Sequence, residues 1–394
     1  MMFASRTRTA LAWAAGGLLA AGCGTGGPPP SEDAEARPHG HVDGAQETAQ
    51  PQWRLVAADT GDGSLHLIDP ATEEVTGLGT APGIQEAATD GRFAYLGAGD
   101  TVTVLDSGTW AVDHGDHAHY YRAEPAILGE VEAGGGLRAA GDTAVTALAS
   151  DAGAGILDRA ALEDGDIARA VAIHGGGALL PRGERLVAAD AGGAVRVLDR
   201  EGAPVGTLDA RCPDPRGQAL TRRGAVIGCS NGALLVTGEG DSLDARTIAY
   251  PDGGADPVAA FHHRPGAPVL AGRAGDEGVW VLDAGAGEWT LLETGPAAAV
   301  SAAGEDLPVL VLGEDGRLRA YDPESGEQTA QRRLMEGAGA RGAPEPVIRI
   351  DTGRAYVNDP AADAVYEIDY NDDLRLARTF ELGFSPDVMV ETGW

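Results

Sequence analysis

A short pattern recurs along most of the chain: an apolar residue, any residue, two apolar residues and an aspartate, with local variation. It reads LHLID ending at Asp69, VTVLD at Asp106, GAGILD at Asp158, VRVLD at Asp199, VWVLD at Asp283, LRAYD at Asp322 and VYEID at Asp369, and ALLVTG around Val236 fills the one vacant slot. The spacing averages about 43 residues, the length of a propeller blade of four strands. Glycine (59 residues) and proline (23 residues) break the apolar runs into short segments, as an all-β fold with many turns requires. Eight units fit, so the expected fold class is an eight-bladed β-propeller, with seven blades as the fallback. The recurrent Asp would close the third strand of each blade. WRLVAAD, starting at Trp53, and PDVMVETG, ending at Gly393, would together complete one blade and close the ring.

The segment before the repeats is of another kind. Arg6 and Arg8 precede the apolar stretch ALAWAAGGLLAAG, which runs to Cys23. A dozen or so apolar residues suit a signal peptide and are too few to span a bilayer. LLAAGC resembles the bacterial lipobox, with its leucine one place early and Ala20 third before the cysteine. Residues 1–22 are therefore expected to be a lipoprotein-type signal peptide, and Cys23 the lipidated residue. The expected location is extracytoplasmic, anchored by that lipid on the outer face of the cell membrane, with a secreted or periplasmic protein as the alternative. Residues 23–52 are rich in Pro, Gly, Ala and acids, the composition of a disordered acidic tether, and residues 53–394 would form the propeller.

The remaining cysteines, Cys212 and Cys229, form an even pair in an oxidising compartment, which favours a disulfide. A formal net charge of −31 disfavours nucleic acid and anionic membrane surfaces as partners and suits cations. A monomer is expected, touching the membrane only through its N-terminal lipid.

The strongest chemical signal is DHGDHAHYYR, residues 113–122, which holds three of the nine histidines. On a strand, His117 and His119 would share a face, and a turn at Gly115 would bring His114 to them. Neutral imidazoles fixed in this way suit tetrahedral Zn²⁺, ahead of copper or nickel. His174 is the expected further ligand, placed by the repeat register on an upper connection facing the central mouth. Asp113 or Asp116 would ligate the ion or fix an imidazole tautomer. The segment lies in the longest gap between recurrent aspartates, and it is expected to form the fourth strand of its blade and the exit toward the mouth. His39 and His41 make a two-ligand HGH fragment on the tether. His262 and His263 sit in a turn between blades, and His66, inside a strand, reads as structural or surface.

These features, DHGDHAHYYR, the HGH tail, the two cysteines flanking PDPRG, and the block from RAYVNDPAADAVYEIDY to RTFELGFSPDVMVETGW, resemble the AztD family of zinc metallochaperones. The resemblance implies an exported propeller that binds Zn²⁺ and hands it to the zinc-binding solute receptor of an ABC importer. It implies zinc residues at His117 and His119 with His114 and His174, and a mobile transfer pair at His39 and His41. Two rival functions are a metal-dependent propeller hydrolase or lactonase, and a metal-free interaction scaffold. The first has no GxSxG nucleophile motif to support it, and the expectation is that the protein is not an enzyme.

Overall fold

The computed structural model describes residues 42, 44–114, 117–174, 177–251, 254–339 and 342–394, the side chains of 169–174 excepted. The expected signal peptide, Cys23, His39, His41 and Asp116 lie outside the described residues. Among those described, strands form nine antiparallel sheets, seven of four strands and two of three. In a regular unit, successive strands pair in chain order, as in Gly177–Arg182, Arg185–Asp190, Ala194–Leu198 and Pro204–Arg211. Burial falls from the early strands to the fourth. Gly224–Cys229, a second strand, is buried throughout, whereas the fourth strand Pro204–Arg211 is largely exposed. The all-β, propeller-like architecture read from the repeat is present.

The recurrent aspartates have a common task. Each lies at the end of a third strand or just after it, and its carboxylate accepts backbone N–H groups of the turn that follows. Asp69 accepts from Ala71 and Thr72, Asp283 from Gly285 and Ala286, and Asp322 from Glu324 and Ser325. Asp158 instead caps the short helix Arg159–Glu163 by accepting from Ala161. A short acceptor two or three residues ahead of unpaired N–H groups is what an Asx turn supplies, so the pattern records turn chemistry rather than packing.

Hydrophobic cores form between sheets. Val187 and Val195 of one sheet cluster with Ile227 and Leu234 of the next, and this continues from sheet to sheet. The last cluster joins Tyr356 and Val365 to Leu55, Ile68 and Met389 of the first sheet. That first sheet is built from both ends of the described region, since Val388–Thr392 pairs with Arg54–Ala58 from Arg54↔Thr392 to Ala58↔Val388. The expected pairing of the WRLVAAD and PDVMVETG segments in one sheet is present.

Three details differ from expectation. One sheet has only Val269–Arg273, Val279–Asp283 and Glu288–Leu292; beside it, His262 bridges Ala271 and His263 bridges Ala302 in place of a regular first strand. Pro257 and Pro265 flank that stretch and lack the N–H a ladder needs. Gln46–Thr48, within the segment expected to be a disordered tether, forms a strand because another strand edge pairs with it. Finally, DHGDHAHYYR is not the fourth strand of its blade. Ala126–Glu132 holds that place beside Thr101–Asp106, and the histidine segment is a hairpin inserted between the two.

Cys212 and Cys229 are joined in a disulfide, both buried, with Cα atoms 5.0 Å apart. It ties the end of one sheet's fourth strand to the second strand of the next sheet. Replacing both cysteines by serine is expected to cost about 3 kcal/mol, the entropy of a loop of about 15 residues, as a lowered denaturation midpoint. Met389→Ala, at a side chain 1% exposed in the closing strand, is expected to destabilise by about 2–5 kcal/mol in chemical denaturation.

Candidate metal site

The inserted hairpin pairs Thr109–Asp113 with Ala118–Arg122, from Thr109↔Arg122 to Asp113↔Ala118, and Gln46–Thr48 adds as a third strand. At its base Gly108 has φ +71°, and a Cβ there would lie 2.3 Å from the Ala123 carbonyl oxygen. That close approach lets the Ala123 N–H donate to Gly108 O at 2.6 Å, and only glycine fits it. Trp110 is buried, with the Arg92 guanidinium 3.8 Å from its ring centroid. Arg92 donates from Nε and Nη2 to Asp106, the recurrent Asp of this sheet, with Nη2 at 2.8 Å. Tyr121 stacks on Trp110 at 5.2 Å. The sheet therefore grips the stem of the hairpin through one buried cation.

Alternation along the two strands gives the hairpin two faces. Ala111, Asp113, Ala118 and Tyr120 line a central cavity of about 650 Å³. The opposite face carries Val112 paired with His119, and Glu47 paired with Tyr121. His119 thus lies away from the cavity, contrary to the expectation that the cluster faces the central mouth.

At the tip, the His114 N–H donates to His117 O at 2.9 Å and closes the turn. The ring centroids of His114, His117 and His119 lie 4.9 to 5.3 Å apart. One ring nitrogen from each falls within 4.8 Å of the others. His117 Nε2 is 3.1 Å from His119 Nε2, close to the roughly 3.3 Å that two ligands at 2.0–2.1 Å subtend in a tetrahedral zinc site. His114 and His117 are exposed and His119 is half-buried. Its Nδ1 lies 2.6 Å from Glu47 Oε1. This leaves Nε2 as the ring nitrogen that faces the other two histidines.

The structure brings together three of the expected ligands. His174 is placed elsewhere: it ends the fourth strand Arg169–His174, opposite Gly153. In an up-and-down sheet, the connection from third to fourth strand and the one leaving the fourth strand lie at opposite ends. The hairpin occupies the former kind of connection and His174 begins the latter, so a strand length of roughly 20 Å separates the two ends. The repeat register located His174 at a blade connection but on the wrong end of the sheets. Asp113 lines the cavity on the other face from His119. Glu47 was missed. Its one sequence signal is an acidic charge in a segment full of them.

His66, His262 and His263 have packing roles. His66 stacks on Phe384 with centroids 3.6 Å apart, and its Nε2 is 3.1 Å from Ser64 Oγ. His262 and His263 line the central cavity. Burial pushes His262 down to about 3, helped by nearby Arg349 and Arg273, and pushes His263 down to about 4 against the acceptor Leu220 O. Both are neutral at neutral pH and serve the wall of the cavity.

An all-β, propeller-like scaffold thus presents, at an exposed hairpin tip, three convergent imidazoles of the kind that could hold a metal ion. Comparison gives the particular relative: the chain is 26% identical over 351 residues to the zinc chaperone AztD of Citrobacter koseri, covering 80% of this chain and 81% of that one. The crystal structure of Citrobacter koseri AztD superposes with a TM-score of 0.73 at 21% identity, covering 88% of this chain and 99% of that one. Apo AztD from the same organism also gives 0.73 at 20% identity, covering 87% and 98%. No family model matches the chain. The resemblance seen in the histidine segment and the C-terminal block is borne out by these similarities in sequence and fold.

His262 and His263 set a pH dependence. The native protein resists protonating His262 and His263, whereas the unfolded chain takes up protons at the ordinary imidazole pKa near 6.5. Stability should therefore fall as pH drops from about 6.5 toward 4, by up to about 1.4 kcal/mol per pH unit for each histidine. Burial raises the carboxyls of Glu391 and Asp351, which act in the opposite sense, so the comparison must be by difference. His262→Asn is expected to flatten the acid limb relative to wild type in denaturation curves taken at several pH values.

Proposed function

We propose that this protein is an extracytoplasmic zinc metallochaperone that holds Zn²⁺ at His114, His117 and His119 and passes it to the solute receptor of a zinc ABC importer. The observation that carries this reading is the convergence of three imidazole nitrogens within 4.8 Å at the tip of one hairpin. Similarity to a protein named as a zinc chaperone supports zinc as the cargo. The eight blade-like sheets, packed in sequence and closed by the Val388–Thr392 strand, are read as one eight-bladed propeller that holds the hairpin still.

The geometry suits transfer more than storage. Three protein nitrogens leave the fourth tetrahedral position open, and His114 and His117 stand in solvent. A receptor side chain can enter that position before any protein ligand leaves, so the ion need never be released to water. His39 and His41 would act as a second, weaker pair on the tether, and a lipid on Cys23 would keep the protein near the importer. In this reading the role is carriage, with no bond of a substrate made or broken. A ligating imidazole nitrogen binds either a proton or the metal, so acid weakens the site.

Purified protein is expected to take up Zn²⁺ stoichiometrically in competition with a chromogenic chelator. His117→Ala combined with His119→Ala should weaken binding at least 100-fold. Loaded protein mixed with the zinc-free receptor, then separated by ion exchange and assayed for metal, should show the ion on the receptor. Unchanged affinity in the double variant would overturn the site, and zinc retained on the donor at equal concentrations would overturn the transfer.

A further inference from the structure

We propose that Glu47 is a positioning residue for the histidine site, and that through it the Gln46–Thr48 strand and the ion stabilise each other. The inference rests on the proposed zinc site and extends it to a segment with no part in the triad. Glu47 Oε1 lies 2.6 Å from His119 Nδ1. The register of Gln46–Thr48 against Ala118–Arg122 sets Glu47 opposite Tyr121, on the face that also carries His119. An acceptor at that distance holds the proton on Nδ1 and leaves the Nε2 lone pair directed at the other two rings. It also fixes the ring plane. This is the arrangement in which a carboxylate orients a metal-bound imidazole and raises its basicity.

The strand that carries Glu47 has little else to hold it. Gln46 and Glu47 are exposed and Thr48 is half-buried, so the segment buries almost no apolar surface. Three residues of edge pairing are marginal without such burial. The Glu47 to His119 contact joins two partly screened groups, with side chains 49% and 12% exposed. Whatever favours the metal-facing orientation of His119 therefore favours the docked strand, and docking favours the ion by the same factor, because coupling between two binding events is reciprocal.

The test uses full-length protein and zinc itself. Glu47→Ala is expected to weaken Zn²⁺ binding 10- to 100-fold, the usual cost of losing a carboxylate behind a ligating histidine. Glu47→Gln, which keeps an acceptor oxygen without the charge, should recover part of that loss. Gln46→Ala, one residue away and off that face, should leave affinity unchanged. Two readouts separate positioning from general damage. In zinc-free protein, ¹⁵N NMR of the His119 ring should show the Nδ1–H tautomer in wild type and a mixture in Glu47→Ala. Amide exchange at residues 46–48 should slow on zinc loading in wild type and not in Glu47→Ala. Wild-type affinity together with the wild-type tautomer in Glu47→Ala would overturn this proposal alone. A wild-type protein that binds no zinc would overturn it together with the reading on which it rests.

Discussion

The exposed tip depends on a buried cation well below it. Arg92 is 6% exposed, is bound through two nitrogens to Asp106, and lies against the ring of Trp110. Breaking one side of such a pair leaves an uncompensated buried charge, which costs about 3–5 kcal/mol. Asp106 serves two masters here: it holds Arg92 and also accepts the Gly108 N–H that starts the inserted hairpin. The carboxylate that closes a turn at Asp283 and Asp322 here anchors an insertion as well. From that anchor, Trp110, Tyr121 and His119 form an aromatic column that leads from the interior to the clustered imidazoles.

The alternation of the hairpin then divides the labour. One face closes over the central cavity with Ala111, Asp113, Ala118 and Tyr120, and the other face holds the imidazole cluster. His262 and His263, on the far wall of that cavity, are kept neutral by burial. They share a residue type with the triad and nothing of its setting. The scaffold thus keeps two populations of histidine apart, one convergent at the hairpin tip, the other half-buried in the cavity wall.

The sequence was informative where physics is local. The recurrent Asp marked the third-strand turns because an Asx acceptor must sit two or three residues before the N–H groups it binds. His114, His117 and His119 were legible as a cluster because a hairpin turn and strand alternation both act over a few residues. His174 was misplaced because a repeat register says which connection a residue is near, and strand direction decides which end of the sheet that is. The insertion of the hairpin before the fourth strand was hidden for a related reason: two extra strands read as one strand and a long exit. Glu47 was out of reach, since its partner lies 72 positions away and its segment has the composition of a tether.

Because the hairpin enters and leaves through Gly108 and Ala123, joined by one hydrogen bond of 2.6 Å, it behaves as a cassette set into an otherwise self-sufficient ladder. Thr101–Asp106 and Ala126–Glu132 pair with each other directly, from Ala126↔Asp106 to Glu132↔Thr101, although the hairpin lies between them in the chain. Such an insert can vary at its tip while the stem packing of Trp110 on Arg92 stays in place, and its stem defines the two points at which it could be transplanted to another scaffold of the same architecture.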